Sequence, residues 1–93
     1  MYVISYDIAG DKMRNKIAKV LLGYGRRVQY SVFECRISQK RFEELYKKLA
    51  LLMAGSDEGN VRFYHLCGKC EVEIRELGQP KDNGSDLEDT IVI

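Results

Sequence analysis

An α+β sandwich, with an antiparallel sheet covered by two helices on one face, is the fold these 93 residues predict. Three observations predict it: apolar alternation of period two near both ends of the first 67 residues, two apolar stripes of helical period between them, and glycine-bearing turns where the period changes. A chain of this length makes one domain and buries only about two-thirds of its unfolded surface, so a second copy is expected to contribute stability.

The first strand is Val3-Ile4-Ser5-Tyr6-Asp7-Ile8. Ile4, Tyr6 and Ile8 share one side, and Val3, Ser5 and Asp7 the other. If helices cover the first side, Asp7 looks out of the open face, where a second copy of the sheet can bring a second Asp7 near the first. Gly10-Asp11 then turns the chain, with Asp11 as the expected N-cap of the first helix. Met13, Ile17, Val20, Leu21 and Tyr24 form its apolar stripe, Lys12, Arg14, Lys16 and Lys19 crowd the other faces, and Gly23 and Gly25 close it.

Residues 26–37 are extended by propensity but would span about 40 Å as one strand, and their alternation changes phase between Tyr30 and Val32. A bulge or tight turn there divides them into two arms. Ser38 caps a second helix with Phe42, Leu45, Tyr46, Leu49, Leu52 and Met53 as its stripe. After a loop over residues 55–60, strands are expected at 61–67 and 70–77, joined by a Gly68-Lys69 turn. Strand, helix, two strand arms, helix and two strands is the order of a ferredoxin-like sandwich. We assign residues 1–78 to this domain and 79–93 to a polar linker and an extra C-terminal strand at 90–93, an apolar segment suited to a sheet edge.

The net charge of +1 hides an asymmetry: residues 1–48 carry eleven Lys and Arg against five Asp and Glu, and residues 81–93 one against four. A basic front half suits a phosphate backbone. Arg14, Lys16, Arg26 and Arg27 are read as bracketing the same end of the sheet as Asp7, with no base-reading motif beside them. Tyr30 and Phe33 can stack on bases, although core or dimer packing is the commoner fate of such rings. No apolar run approaches the roughly 18 residues of a membrane span, and Met1 leads straight into a strand, so a cytoplasmic location is expected.

Asp7 has two readings. It caps a turn or pairs with Arg14, or it is half of a metal site completed by its symmetry mate, since a hard octahedral cation needs more than one carboxylate. Cys67-Gly68-Lys69-Cys70 with His65 upstream supplies too few ligands for a zinc site, and a motif lying between strands does not fit a dithiol redox role. Cys35 reads as a small core residue.

Tyr6-Asp7-Ile8, Arg14-Asn15-Lys16, Gly25 and, above all, Gln29-Tyr30-Ser31-Val32-Phe33-Glu34 before a helix resemble the small CRISPR-associated adaptation protein family, whose members partner the adaptation integrase. The likeness covers residues 2–77. It implies a ferredoxin-like homodimer in which Asp7 of both subunits binds Mg²⁺, with Mn²⁺ as a substitute, and cuts phosphodiesters in RNA or DNA. It also implies that Arg14, Arg27 and Phe33 lie near that site, that Lys16 stands where an arginine is often found, and that the C-terminal strand augments a sheet at the dimer or integrase contact. Two alternatives accompany this reading: a scaffold that holds duplex DNA in the integrase complex without cutting it, and a toxin-type ribonuclease of the same fold. A small-molecule regulatory domain is disfavoured by the basic front half.

Overall fold

In a computed structural model of the chain, residues 1–56, 58–71 and 73–78 are described. They form β1 (Tyr2–Asp7), α1 (Asp11–Leu22), β2 (Arg26–Gln29), β3 (Val32–Cys35), α2 (Gln39–Met53), β4 (Asn60–His65) and a one-turn α3 (Gly68–Glu71). The sheet has the order β2-β3-β1-β4 and every pair is antiparallel. That is the expected ferredoxin-like arrangement.

Register determines which residues share a face. Ile4 pairs with Phe33 and Phe63, and Tyr2 with Cys35 and His65. Tyr2, Ile4, Tyr6, Phe33 and Cys35 are buried with Ile17, Ala18 and Leu21 of α1 and Leu45 and Leu49 of α2, so both helices cover this side. Each large apolar side chain removed from water here contributes about 1.5–3 kcal/mol. Tyr2 is sandwiched between Phe42, with ring centroids 4.1 Å apart, and His65, at 4.6 Å. The opposite face carries Val3, Ser5 and Asp7.

The 26–37 segment divides as expected, with the turn at Tyr30-Ser31. The bulge lies slightly earlier, because Arg27 pairs with Phe33 and Gln29 with Val32, leaving Val28 as the extra residue. Gly25 permits the close return of β2: a Cβ there would collide with the Glu34 carbonyl oxygen and Cys35 Sγ and lie 2.8 Å from Cys35 Cα.

Ser38 caps α2 by accepting a hydrogen bond from the Arg41 N–H at 3.1 Å. Asp11 does not cap α1. Gly10 occupies the N-cap, and the Asp11 carboxylate, already inside the first turn, accepts from Arg14 instead.

The strand expected at residues 70–77 is also corrected. The Glu71 N–H donates to the Cys67 carbonyl at 3.0 Å, Glu73 to Cys70 at 3.0 Å and Ile74 to Glu71 at 3.2 Å, so the chain coils where alternation suggested extension. Glu71 anchors this coil through the Met1 ammonium at 3.0 Å and through Arg36. The linker and strand expected within 79–93 lie outside the described residues.

Candidate functional site

Asp7 is the last residue of β1, exposed, and on the face the helices leave uncovered. Its cross-strand partner is Asn60, and Gly59 (φ 87°) brings the chain into β4 so closely that a Cβ would lie 3.0 Å from the Asp7 carbonyl oxygen. Positive φ and this contact together require glycine at 59. Among the described residues the Asp7 carboxylate has no hydrogen-bond donor or ion-pair partner, leaving its oxygens available to an external ligand.

Arg14 is occupied otherwise. Its Nη1 donates to the carbonyls of Ile8 at 3.0 Å and Ala9 at 3.1 Å, and its Nη2 pairs with Asp11. The Asp11 carboxylate, and secondarily Tyr30, raise the affinity of this guanidinium for its proton. Arg14 therefore fastens the β1–α1 connection on which Asp7 sits, rather than pairing with Asp7.

The other sequence-identified cations do not form one cluster. Arg27 lies on the helix-covered side with its cross-strand partner Phe33, whereas Arg26 pairs with Glu34 on the open face, level with Val3 and far from the Asp7 end of β1. Lys16 is exposed on α1. The Arg27 guanidinium rests over the rings of Phe33, 5.3 Å from its centroid, and Tyr30, 6.0 Å away, and its Nε is buried without a hydrogen-bond partner among the described residues. Two aromatic faces hold this cation by electrostatic attraction to their π clouds. Phe33 is fully buried. It cannot stack on a base, and its expected contact with nucleic acid is corrected to support of Arg27. Tyr30, by contrast, is 65% exposed at the hairpin turn.

Arg62 was missed in the sequence. Alternation along β4 places Val61 and Phe63 against the helices, so Asn60, Arg62 and Tyr64 share the open face with Asp7. Arg62 opposes Ser5, which makes it the diagonal neighbour of Asp7, a relation that spans about 7–8 Å between backbones. It lies over the Tyr64 ring, 5.6 Å from the centroid. The period-two signal was available in the sequence, but which face of β4 meets the helices is set by the register with β1.

No group of three His, Cys, Asp or Glu side chains able to hold a metal ion exists among the described residues. His65 is stacked on Tyr2, and one Asp7 carboxylate alone is too few donors for a hard cation. No helix among the described residues is long and apolar enough to cross a membrane.

Comparison with known proteins places these features in a family. The model of the CRISPR associated protein Cas2 family matches residues 1–74. The chain is 48% identical over 80 residues to CRISPR-associated endoribonuclease Cas2 3 of Synechocystis, covering 86% of each chain. It superposes with a TM-score of 0.72 on Streptococcus pyogenes Cas2, at 29% identity over 83% of this chain and 98% of that one. It matches a chain of a partial Cas6-RT-Cas1–Cas2 complex with the same TM-score, at 33% identity over 82% of this chain and 88% of the other.

Proposed function

The chain belongs to the CRISPR associated protein Cas2 family, and from that membership we propose that it is a nuclease-type protein of CRISPR adaptation that works as a homodimer beside the integrase. The observation that carries the catalytic part is Asp7: an exposed carboxylate without a partner among the described residues, on the sheet face the helices leave uncovered and next to the connection that Arg14 holds. Two such carboxylates brought together by a two-fold axis supply oxygen donors suited to Mg²⁺ or Mn²⁺. A bound cation would orient water and stabilise the charge that develops on phosphate oxygens.

The chain's own residues supply the rest. Arg62, next to Asp7 on the open face, can take a phosphate oxygen as substrate crosses the dimer, and Arg27, steadied by Tyr30 and Phe33, offers a further donor at the rim. Lys16 and Arg26 would add charge attraction along the backbone without reading sequence.

Asp7→Asn keeps the side-chain shape and removes the charge, so it should abolish cleavage of RNA or duplex DNA while leaving far-UV circular dichroism and duplex binding intact. Chelator should likewise remove activity, and Mg²⁺ or Mn²⁺ restore it. Cleavage by the purified variant at the wild-type rate would refute the assignment. If the wild type cleaves nothing under any metal yet binds duplex, the protein is a scaffold in the integrase complex, a reading supported by its likeness to a chain within a Cas1–Cas2 assembly.

A further inference from the structure

The pair Cys67 and Cys70 has no part in the site above. The sequence placed it at a turn between strands, which argued against redox chemistry. The structure removes that premise: Cys67 immediately precedes the one-turn α3 and Cys70 lies within it, three residues apart, with Sγ atoms 3.6 Å from each other. Both are exposed, and both are free thiols.

From this juxtaposition we infer that Cys67 and Cys70 form a reversible dithiol–disulfide site that exchanges with low-molecular-weight disulfides. The two thiols have unequal roles. The backbone N–H of Cys70, the Cys70 side chain and the Lys69 N–H all favour the Cys67 thiolate and hold its pKa below the ordinary thiol value, while the hydrogen bond to Cys67, and then its charge, push Cys70 up. A low-pKa, accessible thiol beside a second thiol is the arrangement of a nucleophilic and a resolving cysteine. Cys35 takes no part, because burial, then the Glu34 charge, raise its pKa to about 11 and no solvent reaches it.

In the exchange, the Cys67 thiolate attacks one sulfur of a disulfide such as oxidised glutathione, forming a mixed disulfide and expelling one thiolate. Cys70 then loses its proton to water or to that thiolate and attacks Cys67 Sγ, expelling the second. Two electrons and two protons pass from the protein to two molecules of low-molecular-weight thiol. The new bond spans α3, the turn whose Glu71 is tied to Met1 and Arg36.

The test uses the full chain in glutathione buffers, acid quenching, alkylation under denaturing conditions and intact-mass measurement. Reduced protein should take up three alkyl groups, one for each cysteine, and protein from oxidising buffer only one, with loss of two hydrogens and no covalent dimer. Cys70→Ser should trap glutathione on Cys67 faster than Cys67→Ser traps it on Cys70, because the Cys70 and Lys69 backbone N–H groups that favour the Cys67 thiolate remain in the first variant. Three alkyl groups persisting in fully oxidised glutathione, disulfide-linked dimers alone, or equal trapping rates in the two variants would overturn the proposal. So would reduced thiols that resist native alkylation until chelator is added, since the pair would then be a metal ligand.

Discussion

Arg14 and Arg27 look alike in the sequence, both basic and both matching the same family pattern, yet their surroundings give them different tasks. Arg14 satisfies two backbone carbonyls and pairs with Asp11, so Arg14→Ala should lower stability through lost charge-assisted hydrogen bonds, read as a lower urea midpoint. Arg62→Ala removes an exposed side chain and should leave that midpoint within about 0.5 kcal/mol of wild type while reducing the slope of log affinity against log salt by about one for duplex binding. An unchanged salt slope would mean that phosphate does not pass over Arg62. Phe33→Ala empties a fully buried site beneath Arg27 and should cost about 3–5 kcal/mol, with weaker nucleic-acid binding as a secondary effect. Asp7, Arg14 and Arg27 were legible in the sequence because strand phase and family pattern point to them. The role of Phe33 as support, the exposure of Tyr30 and the place of Arg62 were not, because each depends on which strand neighbours which.

The second helix came out as its local signals read, whereas Asp11 gave the N-cap of α1 to Gly10 and the segment after β4 was decided by distant partners. Ser38 caps α2 as its sequence context says, and Ser38→Ala should cost about 1 kcal/mol in thermal or urea unfolding. The 70–77 segment alternates like a strand, but Glu71 meets the Met1 ammonium and Arg36, far away in sequence, and these contacts favour a coil with hydrogen bonds at close spacing. They also hold the Glu71 carboxyl below its ordinary range, the Met1 ammonium first and Arg36 second. A depressed folded-state value means that folding is favoured by this group above its unfolded pKa of about 4.3, and that the contribution fades as pH falls through the folded value. Glu71→Gln should therefore be less stable than wild type at neutral pH and converge on it under acid conditions. A constant gap between the two unfolding curves across that range would show that the carboxylate charge is not what fixes α3.

The whole molecule has one sheet face covered and one open, and its catalytic reading depends on what the open face meets. Two strands of six residues and two of four, about 4.8 Å apart and rising about 3.3 Å per residue, present an area on the order of 300 Å². A stable specific interface takes about 800 Å² from each partner, so the face alone falls short and must be extended. β4 is an edge strand of the described sheet, and beside it Tyr46, Leu49, Ala50, Met53, Val61 and Phe63 line an apolar cavity of about 180 Å³. The apolar segment 90–93, expected from the sequence to be extended, is the part of this chain proposed to add area at such an edge. Full-length protein should be a dimer by light scattering at tens of micromolar. A chain ending at residue 78 should keep the circular dichroism of the folded domain, because among the described residues every buried core residue belongs to residues 2–49, and should shift toward monomer at the same concentration. On the proposed site shared by two Asp7 carboxylates, cleavage should fall in step with dimer content. Unfolding of the truncated chain would make the tail part of the domain rather than of the contact, and full activity from a truncated monomer would place the whole catalytic site within one chain.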